Sequence, residues 1–506
     1  MDDKHTILQQ AVTLHQQGNF ASAQALYEQV LAADPRNFDA LHLSGVLARQ
    51  RGDAQRALEL IGQAIAVDPT RAIAHCNLGV ALQDACRFAA ALDSFELALA
   101  LQPRYAMALS NRGNALRNLG RLEDALASYG EALDVQPEYA EALCNRAAVL
   151  QELGRHGEAL DNFGAALSVR RTYPEALHGA AASLLALGEA GQALEGFERA
   201  LRLRPDYAEA WCARGSLLLR AGELDEALGS FLRALEVRGD YARAQLGVAN
   251  TLRAQGRGEE AVAAYEKALA FGADPEVVGY MLAALGAQQA PSASPAAYVQ
   301  GLFDQYAGRF DRHLVEVLQY RTPALLADAV RRSALQSAVA DVEPLRDVLD
   351  LGCGTGLCGA LLRPMARRLE GVDLSPRMLE RARELGIYDA LHCAEMTAFL
   401  LARAGGADLI VAADVFVYAG DLGAVFAAAR AALRAGGQLA FSVEALPAPG
   451  VPGGFALRPS GRYAHSEAYL RKLAAANGFA VAALEPCVLR KEDGADIAGL
   501  LAVFTG

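Results

Sequence analysis

Along the first half of the chain, apolar and small residues recur with a period of 34, which marks a repeat architecture. Pro35, Pro69, Pro103, Pro137 and Pro205 stand in register, with Arg171 and Gly239 where the proline is absent. Twelve residues before each stands an alanine (Ala23, Ala57, Ala91, Ala125, Ala159, Ala193, Ala227), and Ala261 follows one period later, so eight units are expected. An aromatic usually follows that alanine by four residues, as at Tyr27, Phe95, Tyr129 and Phe163; that spacing is one face of a helix. Gly45, Gly79, Gly113 and Gly215 predict positions where a second helix comes close. Gly18, Gly52, Gly120, Gly154, Gly188, Gly222 and Gly256 predict the turn between paired helices, where a left-handed residue ends the first. Only Cys86 breaks that column.

The register fades after Ala273. "PEVVGYMLAALGAQQ" predicts one more amphipathic helix closing the stack, and "APSASPAA" reads as a linker by composition. From Ala297 the pattern changes, first to helices up to about Val342 and then to short apolar runs alternating with helical ones. The predicted strands are "DVLDL", "RLEGVDL", "ALHCAE", "DLIVAAD", "GQLAFSVE", "AVAALEPCVL" and "GLLAVFTG". Such alternation predicts a mostly parallel sheet covered by helices, with ligand bound beyond the carboxyl ends of the strands where their order reverses.

The first half resembles tetratricopeptide repeats, from about Met1 to Pro275. The resemblance implies an all-α solenoid over 1–275, with a groove that takes a protein or peptide. In this family the position of Asn77, Asn111 and Asn145 faces the groove. A ladder of carboxamides there suits an extended peptide backbone; alternatively the three bond neighbouring helices. Cys76, Cys144 and Cys212 share a column read as small filler, and Trp211 stands where other units have leucine, so it is expected in the core. The capping helix and linker occupy 276–296, and a second domain spans 297–506.

Within "VLDLGCGTGLCG", glycines satisfy both G-x-G-x-G (Gly352, Gly354, Gly356) and the dinucleotide pattern G-x-G-x-x-G (Gly354, Gly356, Gly359). Asp350 ends the preceding strand, where a carboxylate would repel a pyrophosphate. It suits a cofactor carrying a cationic amine and sulfonium and no phosphate, as S-adenosylmethionine does. Asp373, at the next strand end, can accept ribose hydroxyls, a feature dehydrogenases share. The order "VLDLGCGTG", "GVDLSPRMLERA", "ADLIVAADVFVY", "LRAGGQLAFSVE" resembles class I S-adenosylmethionine-dependent methyltransferases, an α/β Rossmann-like fold, from about Tyr298 to Gly506. That resemblance implies Asp350, Gly352, Gly354 and Gly356 around the methionine part, Asp373 on the ribose and Glu395 near the adenine amino group. It puts Asp414 at the mouth where cofactor meets acceptor; a helix cap is the other reading of Asp414. "YVQGLFDQYAGRFDRHL" resembles the helical cover of small-molecule methyltransferases, which makes Tyr306, Phe310, His313 and Arg321 pocket candidates.

Methyl transfer asks chiefly for positioning and exclusion of water. If the acceptor must lose a proton, His465 is the candidate base, with Glu444 and Asp414 as orienters; a plain loop histidine before a helix is the alternative. The amino-methylating tetrapeptide N/D-P-P-Y/F is absent where "ADVF" stands, and the net charge of −12 opposes phosphate backbones. Nucleic acid is therefore not expected as the partner. The 506 residues contain no uncharged apolar run long enough for a membrane span, so a cytoplasmic protein is expected. Eight cysteines without a C-x-x-C pair predict reduced thiols and no metal site. The expected function is methyl transfer from S-adenosylmethionine to a protein or small-molecule acceptor while the repeats dock a partner. The rival is an interaction scaffold whose second domain binds the cofactor without turnover.

Overall fold

The computed structural model describes residues 2–306, 310–312, 314, 318–336, 346–446, 451–492 and 494–506. The chain divides into two compact units, Met1–Leu217 and Leu218–Gly506.

The first unit is built from helix pairs such as Phe38–Gln50 with Ala54–Val67 and Ala106–Asn118 with Leu122–Val135. The alanine and aromatic columns face inward, and Ala23, Tyr27, Ala57, Ala91, Phe95, Ala125 and Tyr129 are fully buried. Small residues are required where the second helix crosses the first. A Cβ on Gly79 would lie 2.5 Å from the Phe95 ring, and one on Gly113 2.7 Å from that of Tyr129. The turn glycines Gly18, Gly52, Gly120, Gly154 and Gly188 have φ between +74° and +91°. Cys86 is forced into the same region, at φ +55°.

One inter-repeat column is visible only in three dimensions. Tyrosines entering each unit reach back to the column before it, Tyr105 lying near Cys76, Tyr139 near Ser110 and Tyr173 near Cys144. The cysteines are buried as expected of filler, and Cys76 also receives the Asn111 amide at 4.0 Å. Trp211 departs from its leucine neighbours. It is only half-buried, and its indole N–H donates to the Pro205 carbonyl at 2.8 Å, as His75 Nε2 meets that of Pro69 at 2.9 Å.

The second unit contains the pair Ala242–Ala254 and Gly258–Ala270, and then the closing helix Pro275–Ala284, capped by Asp274. The stretch expected to be a linker is bonded in place. Ser294 N–H donates to Tyr418 O at 2.8 Å, Ser292 O accepts from Gly420 and Asp421 N–H, and Ala293 bridges Ala419. Serine and proline composition signals lack of helix, and an extended segment of that kind can still lend its backbone to a neighbour.

Helices Ala296–Tyr306 and Thr322–Gln336 precede a nine-stranded sheet. Its strands are β1 (Arg346–Leu351), β2 (Ala366–Asp373), β3 (Ala390–Cys393), β4 (Ala407–Ala412), β5 (Leu433–Ala445), β6 (Phe455–Leu457), β7 (Tyr463–His465), β8 (Ala480–Glu492) and β9 (Ala495–Thr505). The order is β3-β2-β1-β4-β5-β7-β6, with β9 antiparallel on β5 and β8 on β9. β1 to β5 are mutually parallel, so chain order reverses between β1 and β4. β7 pairs β5 at Glu444 and Ala445, past the last residue of β4 in register. The β6–β7 hairpin therefore lies beyond the carboxyl end of β4. Each sheet face carries its own core, one around Phe416, Phe426, Phe441 and Phe504, the other around Leu326, Val348, Leu409 and Val503.

Candidate functional site

Asp350 is the last but one residue of β1 and only 1% exposed. Its Oδ2 accepts from the Tyr388 hydroxyl at 2.7 Å, and its Oδ1 is buried with no partner. Among the described residues it is the one buried carboxylate left with a free oxygen. Burial, and secondarily the neighbouring Asp373, push its pKa up to about 7, against the pull of the Tyr388 hydrogen bond. An unpaired buried anion of this kind invites a cationic ligand.

The turn after β1 is left-handed at three glycines, with φ +58° at Gly352, +55° at Gly354 and +99° at Gly356. Gly352 and Gly356 also pack tightly, since an added Cβ would lie 2.5 Å from Val415 and 2.7 Å from Leu385. At Gly354 the nearest atom would be Phe310, at 3.6 Å, so there the bare backbone is the more open. Gly354 N–H donates to Asp373 Oδ2 at 2.9 Å, and Asp373 Oδ1 accepts from Ser375 N–H at 2.8 Å. Burial raises the Asp373 pKa while these backbone donors oppose the rise. The structure thus brings Asp350, the glycine turn and Asp373 together at the point where strand order reverses.

Glu395 caps the helix Met396–Leu401, its carboxylate accepting from Ala398 N–H at 2.8 Å and the Thr397 hydroxyl at 2.9 Å. Phe310 packs edge-on to Phe303, which does the same to Tyr418. Arg321 joins β8 through its backbone, donating to Leu489 O. His313 and the side chain of Tyr306 lie outside the described residues.

The three residues assigned to catalysis do not form one constellation. Glu444 pairs with Ala464 and Ala445 with His465, and side chains alternate along a strand. Glu444 and His465 therefore project from opposite sheet faces, and Glu444 does not orient the imidazole. His465 lies in β7 rather than in a loop, is fully buried, and is held neutral, its pKa lowered by burial to about 4. Its Nε2 meets Gly420 O at 3.0 Å, its ring stacks on Tyr469, and its Nδ1 has no partner. Such a group is poorly matched to taking protons at neutral pH.

Asp414 and Glu444 meet through a residue that sequence reading passed over. Arg490 of β8, 3% exposed, donates Nη1 to Asp414 Oδ2 at 2.9 Å, Nη2 to Glu444 and Nε to Glu492 at 2.8 Å. Asp414 Oδ1 also accepts from the Ser442 hydroxyl at 2.8 Å, and its backbone takes φ +55°. Asp414 is thus locked by an ion pair and is not the cap of a helix. A lone arginine in "CVLRKE" gives no sequence sign of burial.

Asn77, Asn111 and Asn145 each point their amide nitrogen at the preceding unit: at His42 Nε2 (2.8 Å), Cys76 Sγ (4.0 Å) and Asn114 Oδ1 (3.1 Å). This is the inter-helix arrangement, and it engages one of the two N–H donors of each amide.

Comparison with known proteins matches residues 349–439 to a methyltransferase domain. Tetratricopeptide repeat models match 8–70, 43–106, 178–241 and 212–276, and a TPR repeat model matches 113–154. Methyltransferase-like protein 27 of Homo sapiens is 39% identical over 90 residues, 18% of this chain and 34% of that protein. The ubiquinone biosynthesis O-methyltransferase of Aromatoleum aromaticum is 31% identical over 99 residues, 19% of this chain and 42% of the enzyme. The chain thus spans less than half the length of either relative. A tetratricopeptide repeat protein from Parabacteroides merdae covers 48% of this chain and 96% of its own, with 23% identity and a TM-score of 0.41.

Proposed function

We propose that this chain, which joins tetratricopeptide repeats to a methyltransferase domain, transfers a methyl group from S-adenosylmethionine to an acceptor while its repeats hold a protein or peptide partner. The observation that carries the cofactor assignment is Asp350, a buried carboxylate with one oxygen unpaired beneath a left-handed glycine turn. Its charge favours a cationic methionine moiety and disfavours a pyrophosphate. When bound, S-adenosylmethionine supplies a methyl group already activated by its sulfonium.

This chain's residues do the rest. Asp350 holds the positive end, the backbone at Gly354 gives close approach, and Asp373 receives the ribose hydroxyls. Asp414, fixed by Arg490 and Ser442, lines the mouth beyond β4, where an acceptor is held in line and kept from water. His465 acts on the same region by bonding the carbonyl of Gly420, which makes it a positioning residue in this reading. The acceptor is a protein or a small molecule.

Calorimetric titration of the full chain with S-adenosylmethionine, with NAD as control, tests the assignment. Micromolar binding that Asp373→Ala abolishes is the expected result. Binding of NAD instead, or of neither compound, overturns it. Retained binding without turnover on any acceptor in a lysate screen would favour the scaffold reading.

A further inference from the structure

Tyr388 lies between the helix Pro376–Glu384 and β3, outside every motif of the sequence, yet it touches three parts of the candidate cofactor site. Its hydroxyl donates to Asp350 Oδ2 at 2.7 Å. Its ring fills gaps that three glycines leave: an added Cβ would lie 2.1 Å from the Tyr388 oxygen at Gly359, 3.0 Å from the ring at Gly371 and 3.3 Å at Gly356. Burial, then the adjacent Asp350 charge, keep the phenol far above its ordinary pKa, so it remains a donor. The other oxygen of Asp350 has no partner.

Resting on the cofactor reading above, we propose that Tyr388 is a positioning residue: it clamps one oxygen of Asp350 and so reserves the other for the cationic end of the cofactor. A carboxylate held by one directed donor cannot rotate to satisfy itself elsewhere. The orphan oxygen stays unpaired until a cation arrives. The ring's seat among Gly356, Gly359 and Gly371 fixes the hydroxyl, which explains why glycine is required at Gly359, whose φ is ordinary and whose nearest neighbours are all atoms of Tyr388.

The groups facing Asp350 are Tyr388, Asp373 and the thiols of Cys353 and Cys358, both of which burial keeps neutral. Removing the Tyr388 donor takes away the interaction that lowers the Asp350 pKa, so the ionised form appears at higher pH. Binding of a cation by Asp350 should therefore strengthen as pH rises towards about 7 in the wild type and at higher pH in Tyr388→Phe.

The test is titration of the full chain and of Tyr388→Phe, which keeps the ring, between pH 5.5 and 8.5. S-adenosylmethionine is the cationic probe and 5′-methylthioadenosine, which lacks the sulfonium charge and the chain bearing the α-amine, is the neutral one. The expected result is about ten-fold weaker binding of S-adenosylmethionine at pH 7, the size of one charge-assisted hydrogen bond, with the pH midpoint moved upward. Methylthioadenosine should bind both proteins within two-fold. Equal loss for both probes, or an unmoved pH midpoint, would reduce Tyr388 to a packing residue and overturn the proposal. Failure of the wild type to bind S-adenosylmethionine would instead remove the cofactor reading beneath it.

Discussion

Asp350 shows how one residue sets stability against binding. Its folded-state pKa of about 7 lies above the ordinary 3.8, so between those values the folded chain keeps a proton that the unfolded chain has released. Stability contributed by this group is therefore full below pH 3.8 and falls as pH rises to 7. Asp350→Asn should raise the melting temperature at pH 8, by up to roughly 3–4 kcal/mol of stability, while abolishing S-adenosylmethionine binding. Thermal denaturation at pH 5 and pH 8 with and without cofactor reads both effects; a variant less stable at pH 8 would contradict the account. Cys86 offers a cleaner case, because its exposed side chain occupies a left-handed position that seven other repeat turns give to glycine. Cys86→Gly should stabilise the chain by about 1 kcal/mol, measurable as a higher denaturation midpoint with unchanged slope. That column could be read from the sequence, since positive φ selects glycine directly. The groove asparagines could not, because a carboxamide bonds a ligand or a neighbouring helix equally well.

At the scale of elements, β1 to β5, β8 and β9 were visible as apolar runs, and their ends fell within a few residues of expectation. Two three-residue strands, β6 and β7, were not, because so short a stretch has no periodicity to read. Their absence from the prediction misplaced His465, since pairing with β5 is what buries it and turns it away from Glu444. Arg490 was hidden for a related reason: β8 pairs with β9, β9 in turn with β5, and only those two registers bring its guanidinium to Asp414, Glu444 and Glu492. Removing one partner from such a buried network leaves uncompensated charge. Arg490→Met should cost roughly 3–5 kcal/mol, whereas replacing Arg331, exposed and paired only to Asp328 one turn away, should cost less than about 0.5 kcal/mol. Chemical denaturation of both variants distinguishes a network that fixes the mouth of the site from ordinary surface pairing.

At the scale of the whole molecule, the 34-residue period and the glycine turn separated solenoid from sheet, but composition alone placed a free joint at "APSASPAA". In the second unit that stretch is bound on both sides. Tyr463 donates its hydroxyl to Pro291 O at 2.5 Å, and the Ser294 hydroxyl donates to that of Tyr280 at 2.7 Å, which donates in turn to Gly461 O at 2.8 Å. Arg253, in the last helix pair, donates to Pro459 O at 3.0 Å. These contacts converge on the β6–β7 hairpin and on the segment 418–421, whose Gly420 carbonyl bonds His465. A chain cut at Ala297 loses all of them and exposes the packed rings of Tyr298 and Tyr463, whereas one begun at Arg238 keeps them. With about 1 kcal/mol for each lost bond, the shorter chain should melt roughly 10 °C lower. Its cofactor affinity should fall as well, because the segment after β4 that carries Asp414 is no longer held. Equal melting temperatures and equal affinities for the two chains would mean that the repeat end merely adjoins the sheet; a paired loss would mean that the last repeat and its closing helix are structural parts of the methyltransferase domain.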